Sequence, residues 1–261
     1  MTSLRPQIFA FALIASLSGA PMNAVAQQTA PVAATQPGTV DPESVAALKR
    51  MSAYLMSLNT AEIASEGSLD VVTADGQRVQ MDGVTNYKMR KPGFVIDYVS
   101  DLKSRRFIYD GKNFTVVAPK LGFYATAPAP ASNREVLELA YQTYGIRLPL
   151  EDLFRWNDAS NDRAQSLKSG YKLGTATLAG VATDHYVFRE EAIDWEIWIQ
   201  QGDQPLPRKV VIVDRTDPAH PTFISRLSWK VNPPLTDADF AFTPDKDDMR
   251  IDLATFEGSG E

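Results

Sequence analysis

The sequence predicts a mainly β protein of the α+β class, an incomplete antiparallel β-barrel of about eleven strands with helices covering its concave face. From Ala61 onward, apolar and polar residues alternate with a period of two, and turn signals recur at short intervals, which is typical of a meander. A helical insertion after Pro130 interrupts this pattern. Because one sheet of so many strands does not stay flat, we expect it to curl.

The strongest hairpin signal is Asp110-Gly111, which lies between two apolar runs. This dipeptide readily adopts the positive φ of a tight turn. With a two-residue loop, Phe107 would lie opposite Phe114 and Tyr109 opposite Lys112. The residues that would then share one face of the sheet are Phe107, Tyr109, Phe114 and Val116.

Residues 1–26 have the features of a secretory signal peptide: Arg5, an apolar run from Ile8 to Leu17, and Ala24-Val25-Ala26 as a cleavage site. The apolar run has about ten residues, against the roughly 20 that span a bilayer. We therefore expect cleavage and a periplasmic location. Residues 27–40 should form a disordered leader, 41–256 a single domain and 257–261 a flexible tail.

Composition restricts the possible partners. Without the signal peptide the chain has 25 basic and 32 acidic residues, a net charge of −7. This argues against nucleic acid and anionic membrane surfaces, since both favour clustered Lys and Arg, and we expect no stable membrane insertion. The chain has no cysteine, which excludes a disulfide, a thiolate nucleophile and a lipid-modified cysteine.

The first predicted element is a helix from Pro42 to Leu58 with Asp41 as its N-cap. The predicted strands are 68–73, 78–88, 94–100, 106–109, 113–117, 122–127, 169–178, 183–190, 194–200, 208–215 and 223–231. The segment 235–242 should be a loop packed by Phe240 and Phe242.

The helical insertion begins with Ser132-Asn133-Arg134-Glu135, a capping box that opens a helix through Tyr144. A second apolar segment runs from Leu148 to Trp156. We expect both to lie across the concave face as a lid. Ordinary core helices packed on a sheet would need the same residues, so both interpretations stay open.

No sequence motif indicates catalysis. The motifs for phosphate, dinucleotide, zinc and serine-hydrolase chemistry are missing. Neither His185 nor His220 has a nucleophile beside it, and the acidic residues Asp245, Asp247 and Asp248 lack the glycine and terminal glutamate of a calcium loop. We predict no catalytic residue, no metal site and no cofactor, with an unrecognised hydrolase as a minor alternative.

Five features together resemble a family of uncharacterised predicted periplasmic proteins, related in fold to the lipoprotein carriers LolA and LolB and the regulator RseB. They are the signal peptide, the first helix, the meander with Arg90-x-Pro92-x-Phe94, Tyr109-Asp110-Gly111-Lys112, and the LPLEDLF segment of residues 148–154. The resemblance implies a half-barrel with a helical lid over an apolar cavity that binds acyl chains. It also implies that Arg90 helps to latch the lid.

The leading hypothesis is therefore a periplasmic, non-catalytic protein that holds an acyl chain or a lipoprotein between sheet and lid. The candidate ligand-binding residues are Phe94, Ile96, Tyr98, Phe107, Phe114, Leu137, Tyr141, Leu153, Phe154 and Trp195. The alternative is a protein-interaction module that docks an envelope protein. The first hypothesis predicts a copurifying lipid, and the second predicts a filled core.

Overall fold

The structure is a computed structural model that describes residues 38–148, 150–157 and 163–255. The predicted signal peptide, most of the leader and the predicted tail lie outside the described residues. No helix in the described ranges combines the length and apolar character needed to cross a membrane.

Two α-helices form where capping signals predict them. In α1 (Pro42–Ser57) the Asp41 side chain accepts a hydrogen bond from the Glu43 N–H, and proline occupies the first turn. In α2 (Asn133–Tyr144) Ser132 accepts from the Glu135 N–H, and Gly145 ends the helix in the left-handed conformation with φ 65°. The sequence thus placed both helices correctly.

Within the part of the chain that the structure describes, the strands form one sheet of twelve. Their bounds are β1 Thr60–Val72, β2 Arg78–Arg90, β3 Gly93–Ser100, β4 Ser104–Tyr109, β5 Asn113–Ala118, β6 Phe123–Pro128, β7 Ser169–Leu178, β8 Val181–Arg189, β9 Ile193–Gln200, β10 Pro207–Asp214, β11 Thr222–Val231 and β12 Met249–Arg250. The strand that the sequence did not predict is β12, which has only two residues.

The strand order is β12-β6-β5-β4-β3-β2-β1-β11-β10-β9-β8-β7. All neighbours pair antiparallel except β12 with β6. Because β12 and β7 form the two edges, the sheet is not closed. The predicted incomplete barrel is confirmed.

Chain topology explains why helices cover one face. Strand β6 lies next to one edge and β7 forms the other edge, so the connection between them must cross the sheet. This connection contains α2 and a short 3₁₀ helix, Glu151–Phe154. Together with α1 it packs on the face that carries Ile63, Tyr87 and Ile96. We call this the covered face.

A second, smaller core lies on the opposite face of the sheet. Val95, Ile108 and Val117 are buried there against Phe240, whose side chain is fully buried, and Phe242 packs against the same cluster. The C-terminal segment 235–242 therefore covers this face, as the sequence predicted for Phe240 and Phe242.

The central hairpin differs from its predicted register. Phe107 pairs with Val116 and Tyr109 with Phe114, so the loop is longer by two residues. The Asp110 carboxylate accepts hydrogen bonds from the Lys112 and Asn113 N–H groups, which stabilises this longer loop. A shift of two leaves every side chain on its face, so the predicted shared face is unchanged.

Candidate functional site

A cavity of about 740 Å³ lies between the covered face and the helices. Its floor consists of β1, β2 and β3, and the end of α1, the start of α2, Leu148 and residues 150–157 form its walls. The buried apolar side chains of the floor and inner walls are Leu55, Leu58, Ile63, Tyr87, Phe94 and Ile96. Such a surface suits an apolar ligand.

The cavity opens where its lining residues become exposed. Met56 is 52% exposed. Asn59, Lys91, Arg134 and Asn157 are exposed as well. Together with the exposed lining residues Pro92 and Ala131, these residues define the mouth. They come from the end of α1, the β2–β3 turn, the start of α2 with the residues before it, and the segment after the Glu151–Phe154 3₁₀ helix.

Side-chain hydrogen bonds connect the walls of the cavity. The Asn133 side chain at the start of α2 donates to the Arg90 carbonyl at 2.8 Å and accepts from the Gly93 N–H at 2.7 Å. Across the mouth, the Lys91 ammonium donates to the Met56 carbonyl near the end of α1. Both helices are therefore connected to the same β2–β3 turn.

The structure brings four of the ten candidate ligand-binding residues to the cavity. Phe94 and Ile96 lie on its floor, and Leu137 and Phe154 lie on its walls. Phe94 and Ile96 alternate along β3 as predicted, and Leu137 and Phe154 belong to the two apolar segments that were predicted to cover the sheet.

Four other candidates belong to the surrounding core. Phe114 is fully buried and lies parallel to Phe107, with ring centroids 6.4 Å apart. Trp195 packs between Trp156 and Phe188. Leu153 is buried in the same core. These side chains support the cavity walls from behind.

The remaining two candidates do not line the cavity. Tyr98 lies further along β3, with the Lys103 ammonium 5.8 Å from its ring. Tyr141 is 45% exposed, and its hydroxyl accepts a hydrogen bond from Arg147. Helix α2 directs Tyr141 to solvent because Val136 and Ala140 occupy its buried side.

Arg90 lines the edge of the cavity, but its guanidinium contacts the C-terminal segment. It pairs with Asp237 and lies 4.2 Å from the centroid of the Phe240 ring. The contact with α2 is made by the Arg90 backbone carbonyl, which Asn133 binds. The side-chain amide of Asn133 thus makes the contact that the resemblance suggested for Arg90.

Sequence reasoning missed the contribution of α1 and β1. Leu55, Met56 and Leu58 line the cavity from the end of α1, and Ala61 and Ile63 line it from β1. The apolar stripe of the first helix was a visible signal that this helix needs a partner surface. The position of α1 beside the helical insertion depends on the pairing of β1 with β11, and no local sequence pattern predicts this pairing.

Electrostatics in the cavity follow from burial. Burial raises the pKa of the Tyr87 hydroxyl, so this group is neutral at the cavity floor. Burial, together with the neighbouring Asp152 carboxylate, raises the pKa of Glu151 on the wall. The Thr85 side chain is a hydrogen-bonding partner of the Tyr87 hydroxyl. Among the described residues no cluster of His, Cys, Asp and Glu could hold a metal ion.

The two histidines lie away from the cavity. His185 is hydrogen-bonded to the Glu196 carboxylate at 2.7 Å, and its ring stacks on Trp198. The ring of His220 lies 3.2 Å from the Asp214 carbonyl in a loop. Both contacts are structural.

Comparison with solved structures finds similar chains at low identity. An uncharacterised conserved protein from Thermus thermophilus covers 80% of this chain and 99% of its own, with 11% identity and a TM-score of 0.48. The lipoprotein LppX of Mycobacterium tuberculosis covers 75% and 98%, with 13% identity and a TM-score of 0.42. A LolA superfamily protein from Nitrosomonas europaea covers 76% and 97%, with 9% identity and a TM-score of 0.35. At these values the solved structures transfer no function.

A comparison with curated proteins finds no match. A family model described as "Predicted periplasmic protein (DUF2092)" matches residues 44–254, from the first turn of α1 to beyond β12. The predicted periplasmic location agrees with this description. The chain therefore belongs to the DUF2092 family of predicted periplasmic proteins.

Proposed function

We propose that the protein is a non-catalytic periplasmic binding protein that holds an acyl chain, free or as part of a lipoprotein, in the cavity between sheet and helices. The observation that carries this proposal is the cavity itself, with its apolar floor of buried side chains. Its volume of about 740 Å³ lies within the range of roughly 300–1,000 Å³ found for small-molecule sites.

The composition of the floor favours a flexible hydrocarbon over a polar ligand. Phe94, Ile96, Ile63 and Leu58 present no hydrogen-bonding side chain. The polar groups of the floor include the Tyr87 hydroxyl, which stays neutral, and the Thr60 side chain, whose hydroxyl donates to the Pro233 carbonyl. Few fixed polar groups imply loose selectivity among chains of different structure.

The expected affinity is weak to moderate. A chain of roughly 16 carbons gains on the order of 12 kcal/mol from burial, at about 0.8 kcal/mol per CH₂. Association costs about 4–15 kcal/mol and offsets much of this gain. A carrier that must release its ligand needs an affinity of this kind.

Native mass spectrometry of protein purified from the periplasm tests the proposal first. A bound species with the mass of an acyl lipid is the expected result. Fatty acids of increasing length should then displace an apolar dye with increasing affinity, up to about fourfold per CH₂. Affinity that does not depend on chain length would contradict the proposal.

A matched pair of variants on α2 locates the binding. Leu137→Asp places a charge on the cavity wall, whereas Leu139→Asp places the same charge on the same helix away from the cavity. We expect only the first to weaken fatty-acid binding by tenfold or more. Leu153→Asp is unsuitable, because Leu153 is buried in the core and a charge there would unfold the protein.

One observation favours a protein-interaction module as a second function. Leu69, Val71 and Val79 are exposed on the covered face, beyond the cavity, at the tip of the β1–β2 hairpin. Exposed apolar groups of this kind often mark interaction sites. A photo-crosslinker at Val79 that captures an envelope protein, together with protein purified free of lipid, would favour this second function.

A further inference from the structure

Several polar side chains that line the cavity are already engaged in contacts within the protein. The Asn133 amide is bonded to the backbone of the β2–β3 turn. The Thr60 hydroxyl donates to the Pro233 carbonyl, and the Arg90 guanidinium pairs with Asp237. These contacts connect the cavity lining to the rest of the fold.

Arg155 is a hydrogen-bond donor on the cavity wall whose partner is held more loosely. Its Nη1 atom lies 3.5 Å from Glu151 Oε1, and both residues line the cavity. A charge-assisted hydrogen bond between such groups has a length of about 2.7–2.9 Å. The two charges therefore attract each other, while the N–H groups of Arg155 can still donate to a ligand.

Glu151 compensates the charge of Arg155. One carboxylate faces one guanidinium, so the pair presents donors to the cavity without a net positive charge. Arg147 and Arg163 also act on Glu151 electrostatically, but neither of them lines the cavity. An anionic head group at Arg155 would lie beside the Glu151 carboxylate, which would repel it. A neutral acceptor avoids this repulsion.

The pair lies at a depth between the floor and the mouth. Phe94 and Ile96 on the floor are buried. The Glu151 side chain is 24% exposed and the Arg155 side chain 33%, and Asn157, two residues further along the same wall, is exposed at the mouth. A hydrocarbon chain on the floor would therefore place its polar end beside Arg155. A group attached beyond that end can leave through the mouth.

We propose that the ligand of this cavity is a neutral acyl ester or acyl amide, whose carbonyl oxygen accepts a hydrogen bond from the Arg155 guanidinium while its chain lies on the apolar floor. The inference rests on the proposed function and specifies the polar group of the ligand. Glu151 is a positioning residue in this arrangement, because it holds Arg155 and balances its charge. The cavity thus favours an acyl group that is still linked to another group over a fatty acid carboxylate.

A carbonyl oxygen suits Arg155 for two reasons. It accepts hydrogen bonds through two lone pairs, and a bond from a charged donor is stronger than one between neutral groups. It also carries no charge that Glu151 would repel. An ether with the same chain lacks the carbonyl group and is therefore the matched reference ligand.

The test compares four ligands with the same twelve-carbon chain: methyl dodecanoate, N-methyldodecanamide, methyl dodecyl ether and dodecanoate. The full chain without its signal peptide is titrated with each ligand at pH 8, and dissociation constants are measured by dye displacement. We expect the ester and the amide to bind about three- to tenfold more tightly than the ether, the size of one hydrogen bond. Dodecanoate should bind more weakly than the ester, because its charge meets Glu151.

Variants assign these preferences to the pair. Arg155→Met keeps an apolar stem and removes the guanidinium, so it should abolish the preference for ester and amide and leave ether binding unchanged. Glu151→Gln should raise the affinity for dodecanoate about two- to fivefold, the size of one exposed ion pair. The control is Arg226→Met, an exposed position of β11 that does not line the cavity. Urea denaturation of each variant checks that the fold is intact.

The outcomes separate this inference from the proposed function. Equal affinity for ester, amide and ether, or tighter binding of dodecanoate than of the ester by the wild-type protein, would overturn the inference and leave the proposed function standing. Failure of all four ligands to bind would overturn both. Tighter binding of the amide than of the ester would support the inference and identify an amide-linked acyl group, whereas the reverse order would identify an acyl ester.

Discussion

The side-chain amide of Asn133 binds the backbone of Gly93, forty residues earlier in the chain. The amide oxygen accepts a hydrogen bond from the Gly93 N–H at 2.7 Å, and the amide nitrogen lies 3.4 Å from the Gly93 carbonyl oxygen. The same nitrogen donates to the Arg90 carbonyl at 2.8 Å. One side chain at the start of α2 therefore provides hydrogen-bonding partners for the backbone of the β2–β3 turn and holds the helix beside the cavity.

Asn133→Ala should lower the free energy of unfolding by about 1–3 kcal/mol, because the buried Gly93 N–H loses its partner. Fatty-acid binding should weaken as well, since α2 is no longer held at the cavity. Urea denaturation measures the first effect and dye displacement the second. Asn86→Ala, at an exposed position of β2, is the control and should change stability by less than about 0.5 kcal/mol. Equal effects of both variants would contradict this role.

Gly93→Ala should be destabilising because two constraints meet at this position. Gly93 has φ +136°, which other residues rarely adopt, and an added Cβ would lie 2.8 Å from Arg90 Nε and 3.3 Å from the Tyr109 carbonyl oxygen. We expect a loss of about 1–3 kcal/mol in thermal or urea unfolding. Gly174→Ala in β7 meets nothing within 4 Å and should be close to neutral. A stable Gly93→Ala protein would show that the turn can rearrange.

The ion pair between Lys88 and Asp239 should make stability depend on pH in the acid range. Lys88 lies 2.6 Å from Asp239 and, with hydrogen bonds from Thr236, lowers the pKa of Asp239 to about 2. A carboxyl whose pKa is lower in the folded state stabilises the fold above its unfolded pKa of about 4, and this contribution disappears as the pH falls toward 2.

Urea denaturation from pH 7 to pH 2 should therefore show that the free energy of unfolding decreases between about pH 4 and 2. This decrease should be smaller in Asp239→Asn. The matched control is Asp247→Asn. Its partner Lys246 lies 3.8 Å away, and both side chains are highly exposed. The same acid profile in wild type and Asp239→Asn would show that the Lys88–Asp239 ion pair does not stabilise the fold.

Much of the fold could be predicted because local patterns decide it. The Asp41-Pro42 and Ser132-x-x-Glu135 caps fixed the starts of both helices within one residue. Alternation identified every strand of β1 to β11, although β1 begins at Thr60, eight residues before its predicted start. There the alternation is carried by small residues such as Ala61 and Ser65, whose burial is decided by the neighbouring strand.

The cavity was harder to predict because its shape depends on long-range packing. Phe94 and Phe114 are both apolar residues on the same face of the sheet, yet the first lines the cavity and the second is fully buried. The difference arises from what packs above them. Asn133 and Lys91, which connect the walls, are polar residues of a helix start and a turn, and no periodic pattern marks such contacts.

Glu151 should make the binding of a negatively charged ligand depend on pH. Burial and the neighbouring Asp152 raise its pKa, while the cations Arg155, Arg163 and Arg147 act in the opposite direction. As the pH falls through this raised pKa, Glu151 becomes neutral and its pairing with Arg155 is lost. Arg155 on the cavity wall then lacks this carboxylate partner, so an anionic ligand should bind more tightly.

Hexadecyl sulfate is the appropriate probe, because its head group stays charged where a fatty acid would itself be protonated. We expect its affinity to rise about two- to fivefold as the pH is lowered through the Glu151 titration, the size of one exposed ion pair. Glu151→Gln should bind hexadecyl sulfate tightly at all pH values and show no such rise. Hexadecanol, which carries no charge, should bind independently of pH in both proteins. A pH dependence that is the same for hexadecanol and hexadecyl sulfate, or that persists in Glu151→Gln, would mean that the helices move with pH and that Glu151 does not control the charge of the cavity wall.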